Sequence, residues 1–145
     1  MKIGIMGGTF NPIHNAHLLI AEMAREEYGL DRVIFITDGN PPHKSANVTA
    51  KQRFEMTHIA IADNSAFEED DFEINRSEKS YTVNTLGYLK EKYPNNDLFF
   101  IIGEDSLNDF NKWYKPDKIL EMCSLLVFPR KSLKSLTETI TVSYT

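Results

Sequence analysis

The sequence predicts a doubly wound α/β domain with a mostly parallel sheet and helices on both faces. Two observations carry that expectation. Short apolar runs alternate with stretches whose apolar residues recur at helical spacing, and the links between them are as short as strand–helix–strand units use. A third observation is size: 145 residues make one ordinary domain, able to bury roughly 68–70% of its unfolded surface without staples.

Taken in order, Lys2–Met6 reads as a buried strand that stops at Gly7 and Gly8. From His17 the period changes. Ile20, Ala24 and Tyr28 recur every four residues, with Leu19 and Met23 beside them, and Gly29 is a C-terminal stop. Val33–Ile36 reads as a second strand, and residues 37–48, with Gly39, Pro41 and Pro42, as loop. Thr49 caps a helix whose apolar face includes Phe54, Ile61 and Ala62. A weak strand signal lies around Phe72–Ile74. Thr82, Leu86, Leu89 and Tyr93 mark a helix ended before Pro94. Leu98–Ile102 is a strong strand signal ending at Gly103. After a short helical stretch, Asp117 is the expected cap of a helix to about Cys123, before a strand Leu125–Phe128. No repeat or linker divides the chain, which reads as a domain over 1–130 and a short polar tail over 131–145.

Composition narrows the function. Hydrophobic residues at 41% and charged residues at 26% exclude disorder and collagen-like scaffolds. The lone cysteine, Cys123, excludes an internal disulfide and a cysteine-built zinc site, and fits a reducing compartment. A net charge of −5, from 16 basic and 21 acidic residues, argues against a general nucleic-acid binder. It leaves room for a small polyphosphate. No apolar run approaches the ~20 residues of a membrane span, and Met1–Met6 runs straight into glycines rather than a signal peptide. The expectation is a cytoplasmic protein with no membrane partner.

In such sheets ligands sit beyond the carboxyl ends of the strands. Four loops qualify: those after Met6, Ile36, Ile102 and Phe128. In the first, Gly7 and Gly8 let backbone amides approach a phosphate, and Thr9 adds a hydroxyl. His14 and His17 share one face of a first helical turn, where their rings and the helix N-terminus meet one anion. Two plainer readings stay open: the glycines as a tight turn, and the histidines as a partial metal site lacking a nearby third ligand. No G-x-G-x-x-G dinucleotide fingerprint is present.

Gly7–His17 resembles the H-x-G-H loop of the nucleotidylyltransferase superfamily, most closely the bacterial nicotinate-nucleotide adenylyltransferases. The resemblance runs from Lys2 to about Arg130, with Ala16 standing where the family usually has glycine. It implies a Rossmann-like sheet and transfer of AMP from ATP to nicotinic acid mononucleotide, with pyrophosphate released, in NAD biosynthesis. His14 and His17 would then contact the transferring phosphate, while Gly7, Gly8, Thr9 and Phe10 form its cradle. Lys44, in Asn40-Pro41-Pro42-His43-Lys44, resembles the family's active-site Pro-Pro-His-Lys segment, although a solvated lysine is the plain reading. His58 lies mid-helix and reads as structural.

Further along, Arg76 and Ser80–Thr85 resemble a segment that seats the nicotinate end. Thr82 and Thr85 match it, and Asn84 replaces the usual aspartate. Gly103 and Asp105 resemble a nucleotide-binding loop, where Asp105 either accepts from a ribose or caps a short helix. Trp113 is the aromatic expected against the pyridine ring, with core packing as the alternative, and Arg130 would hold the mononucleotide's phosphate. Mg²⁺ is expected mainly on the ATP phosphates, since no carboxylate cage is visible.

Family members also carry a Ser/Thr-rich turn with an arginine that holds the triphosphate; no arginine follows Arg130 in the 145 residues. The expectation is an incomplete triphosphate clamp and weakened turnover. A catalytically impaired nucleotide-binding relative, or a transferase for another phosphate acceptor such as phosphopantetheine or a sugar phosphate, stays open. So does a homo-oligomer.

Overall fold

The computed structural model describes residues 1–10, 12–39, 49–76 and 80–129, and the backbone of 142–144. Among the described residues, six strands and five helices follow in the order β1 (Lys2–Gly8), α1 (Asn15–Tyr28), β2 (Arg32–Thr37), α2 (Ala50–Ile61), β3 (Phe67–Asp70), α3 (Thr82–Lys92), β4 (Asp97–Gly103), α4 (Glu104–Asn108), α5 (Pro116–Met122), β5 (Ser124–Phe128) and β6 (Val142–Tyr144). A 3-10 helix, Phe110–Lys112, lies between α4 and α5. The sheet order is β3-β2-β1-β4-β5-β6. Every pairing is parallel except β5 with β6.

The inner strands are apolar at both parities because both faces are covered. Ile3 and Ile5 of β1, with Ile34 and Ile36 of β2, pack toward Leu86 and Leu89 of α3 and Ile119 of α5. Met6, Val33 and Phe35 point the other way, onto Ile20, Ala21 and Ala24 of α1 and Ile61 of α2. Winding reverses at the centre: β2 and β3 extend to one side of β1, and the chain then crosses back to place β4 on the other. The crevice at the carboxyl ends of β1 and β4 is therefore the ligand position for this topology.

Several expectations shift. β1 does not stop before the glycines; it pairs with β2 through Gly7 and Gly8, and the chain turns at Phe10, with φ 49°. The third strand is Phe67–Asp70, not Phe72–Ile74, which forms a turn. Its acidic sequence suits a sheet edge, where charge discourages further pairing. On α2 the buried stripe is Arg53, Thr57 and Ile61, while Phe54 is half-buried and Ala62 exposed. Thr49 is the N-cap as expected. α5 begins at Pro116 after Lys115 in the left-handed region (φ 52°), so Asp117 lies inside the first turn. Proline at the helix start needs no amide partner there, which is why it displaces the aspartate as the boundary. Within the polar tail, Val142–Tyr144 adds an antiparallel strand beside β5.

Candidate active site

The start of α1 is built from two imidazoles. His14 is the N-cap, with Ala16 N–H donating to its Nδ1 at 3.3 Å. His17 returns the bond: His14 N–H donates to His17 Nδ1 at 3.2 Å. Two helix-end amides are thereby satisfied. The rings lie tilted against each other at 4.0 Å between centroids, and Phe10 and His17 meet edge to face at 5.1 Å. Burial, reinforced by His14, pushes the His17 pKa down to about 4. His17 is therefore neutral near pH 7. With Nδ1 accepting a backbone hydrogen, its one N–H sits on Nε2.

Three adjoining cavities open along the carboxyl edge of the sheet. The first, of ≈ 270 Å³, is lined by Gly7, Gly8, Thr9, Asp38, Glu73, Thr82 and Thr85. The second adds His17, Gly103, Ser106 and Trp113, and shares Gly7 and Phe100 with the first. The third lies between Thr82, Trp113 and Tyr114. A Cβ on Gly7 would meet nothing closer than 3.9 Å, so the bare glycine leaves space in the cleft instead of relieving a clash. Gly8 differs: a Cβ there would come within 2.9 Å of the Phe10 ring.

Two anchors shape the first cavity. Arg53 of α2 is fully buried; its Nη1 donates to the carbonyls of Thr9 (2.6 Å) and Asp38 (2.8 Å), and its Nη2 to that of Gly39 (3.3 Å). The loops after β1 and β2 are thus tied to one guanidinium. On the far side, α3 presents Thr85, Tyr88 and Lys92 along one face. Tyr88 (2.9 Å) and Lys92 (2.8 Å) donate to the buried Asp70 carboxylate, and Thr85 Oγ1 donates to Glu73 Oε2 at 2.6 Å. Burial pushes the Glu73 pKa up to about 7. The Thr85 hydrogen bond and Arg76 oppose the rise, and Asp38 adds to it. Gly39 permits this juxtaposition, since a Cβ there would lie 2.2 Å from the Glu73 carbonyl oxygen.

Of the residues singled out in the sequence, Gly7, Gly8, Thr9, Thr82 and Thr85 line the first cavity, and His17, Gly103 and Trp113 gather in the second. His14 lies against His17. The Phe10 ring does not face the cleft: the residue is 3% exposed and packs on His17 and Phe35. Asp105 is not the cap of α4, which is Gly103; it lies exposed in that helix's first turn. Trp113 is half-buried, packed against Phe110 (5.0 Å) and Phe100 (6.0 Å), and borders two cavities. Lys44 and Arg130 lie outside the described residues. Sequence reading missed Asp38, Glu73 and Arg53. Only Arg53 left a trace, since it shares a four-residue spacing with Thr57 and Ile61.

Among the described residues, no group of three or more His, Cys, Asp or Glu is placed to hold a metal ion, and no helix is long and apolar enough to cross a membrane.

A parallel doubly wound sheet with a glycine-ended first strand and a histidine-built helix start accords with the cytidylyltransferase-like family, which the chain matches over residues 5–145 and to which it belongs. Two of its relatives share one description. The chain is 47% identical over 147 residues to the probable nicotinate-nucleotide adenylyltransferase of Citrifermentans bemidjiense, covering 99% of this chain and 68% of the relative. It is 51% identical over 132 residues to that of Pelobacter propionicus, covering 90% and 61%. The chain thus spans about two thirds of its relatives' length. Among solved structures, the nicotinic acid mononucleotide adenylyltransferase of Plasmodium falciparum complexed with NaAD superposes with a TM-score of 0.76 at 24% identity, over 94% of this chain and 70% of that one. At that identity the likeness is one of fold.

Proposed function

We propose that this site transfers the adenylyl group of ATP to the phosphate of nicotinic acid mononucleotide, giving deamido-NAD and pyrophosphate in the cytoplasm. The acceptor's phosphate oxygen attacks the α-phosphorus in line. One P–O bond forms, the bond to the β-phosphate oxygen breaks, and its electron pair leaves with pyrophosphate. No covalent enzyme intermediate is required, so positioning and charge stabilisation supply the catalysis. Mg²⁺ carried on the triphosphate would neutralise charge on the leaving group, held mainly by the phosphates and water.

The observation that carries this reading is the helix start. Both imidazoles commit Nδ1 to backbone amides. That leaves Nε2 as the ligand-facing nitrogen. His17 stays neutral at working pH, so it can donate a hydrogen bond to an α-phosphate oxygen without titrating. The open wall at Gly7 and the α1 N-terminus favour the same anion. Thr82, Thr85 and Trp113, which line the adjoining cavities, would seat the acceptor.

A pyrophosphate-release assay with ATP and a panel of phosphate acceptors tests the assignment. Release with nicotinic acid mononucleotide, and little with phosphopantetheine or sugar phosphates, is expected. Release with another acceptor alone would reassign the substrate, and ATP binding without release on any acceptor would leave a nucleotide-binding relative.

A further inference from the structure

We propose that Glu73 selects which hydrogen-bonding group Thr85 presents to the acceptor, so that an anionic group seats beside Thr85 only together with a proton on Glu73. The inference rests on the acceptor pocket assigned above and adds a specificity residue to it. Glu73 and Thr85 line the same cavity as Gly7 and Thr9. Thr85 is buried, with 4% of its surface exposed, and its hydroxyl lies 2.6 Å from Glu73 Oε2. A hydroxyl has one hydrogen.

When Glu73 is ionised it is an acceptor only, so Thr85 spends its hydrogen on the carboxylate and offers the cavity lone pairs alone. A carboxylate or phosphate oxygen placed there would meet lone pairs and a nearby negative charge. When Glu73 carries a proton, its own O–H donates to Thr85 Oγ1. Thr85 is then free to donate to the anion. The proton moves from solvent to a Glu73 carboxyl oxygen, and no other bond is made or broken.

The surroundings favour this exchange near neutrality. Among the described residues, the groups acting on Glu73 are Asp38 from the end of β2, Arg76 from its own segment and the Thr85 hydroxyl from α3. Asp38 opposes ionisation, Arg76 favours it, and burial outweighs both. Asp70, three residues earlier, shows the contrast: it has the Lys92 ammonium at 2.8 Å as a permanent counter-charge. Thr85 supplies no charge to Glu73.

Calorimetry between about pH 6 and pH 8.5, in buffers of different ionisation enthalpy, reads proton uptake on binding. Three ligands separate the anions: nicotinic acid mononucleotide, nicotinamide mononucleotide (phosphate without carboxylate) and nicotinic acid riboside (carboxylate without phosphate). Wild-type protein should take up a proton with the acid mononucleotide, and its affinity should fall by up to about tenfold per pH unit above neutrality. The dependence should vanish with the amide if the carboxylate sits at Thr85, or with the riboside if the phosphate does.

In E73Q a neutral side chain of the same shape still hydrogen-bonds Thr85. Affinity should lose the pH dependence that Glu73 contributes and stay near the wild-type low-pH value. The ligand's own titration is common to both proteins and cancels in the difference. T85V should be equally flat but weak. Binding by wild type without proton uptake, or E73Q retaining that uptake, would overturn the proposal while leaving the acceptor assignment intact. Wild type binding none of the three ligands at any pH would overturn the acceptor assignment itself.

Discussion

Helices α1 and α2 start with the same reciprocal cap made from different residues. At α2 the pair is Thr49 and Gln52: Gln52 N–H donates to Thr49 Oγ1 at 3.1 Å, and Thr49 N–H to Gln52 Oε1 at 3.0 Å. At α1 it is His14 and His17, with both bonds slightly longer. A hydroxyl and an amide oxygen suffice to close a helix end. An imidazole closes it with one nitrogen and keeps a second on the opposite edge of the ring. The α1 cap thus does the structural task of α2 and still presents donors at the carboxyl end of β1. α2 reaches the same region differently, one turn further in, through the buried Arg53 guanidinium.

The largest expected effect comes from removing the His17 ring, and with it one half of the α1 cap. His17→Ala should lower turnover by roughly 10²–10³-fold, the scale of one lost charge-stabilising donor. His17→Gln restores an α2-type cap and should recover the wild-type unfolding midpoint yet remain about as slow. Recovery of turnover in that variant would mean the cap, not the ring, is what catalysis needs.

Next comes the anchor inside α2. Arg53→Met removes donors from three loop carbonyls and should cost on the order of 2–3 kcal/mol in denaturant unfolding. An unchanged midpoint would show that those carbonyls find water instead. Thr49→Ala should cost about 1 kcal/mol, with turnover held within about twofold. A large kinetic loss there would erase the contrast between the two caps.

The smallest effect is a pH signature. The folded His17 pKa is depressed to about 4 from 6.5, so on acidification the unfolded chain takes up its proton first. The stability contributed by keeping His17 neutral is present above about pH 6.5 and lost progressively toward pH 4. Relative to His17→Gln, wild type should lose about 1 kcal/mol or less by pH 6, checked by unfolding at matched pH.

Much of the architecture was legible because it follows from local rules. Gly29 sits at φ 63° as the stop of α1, Thr49 caps α2, and the apolar runs at 33–36, 98–102 and 125–128 became inner strands. The resemblance of residues 7–17 points to the end of the sheet where the cavities open. β3 was misplaced because an edge strand reading Phe-Glu-Glu-Asp carries no apolar alternation. Nothing local marks Phe10 as an aromatic ring that turns inward behind His17.

By itself, the sequence determined the alternation of elements, the helix ends and the loops beyond the central strands, because each depends on neighbours within a turn or two of chain. Tertiary structure alone decided the rest. Glu73 meets Asp38 and Thr85 only after β3 docks beside β2 and α3 folds back over the edge. Arg53 reaches Thr9 across 44 residues of chain. The His17 proton affinity falls because folding removes its water. Burial and long-range approach set ionisation and hydrogen-bond direction, and neither is a property of a residue or its sequence neighbours.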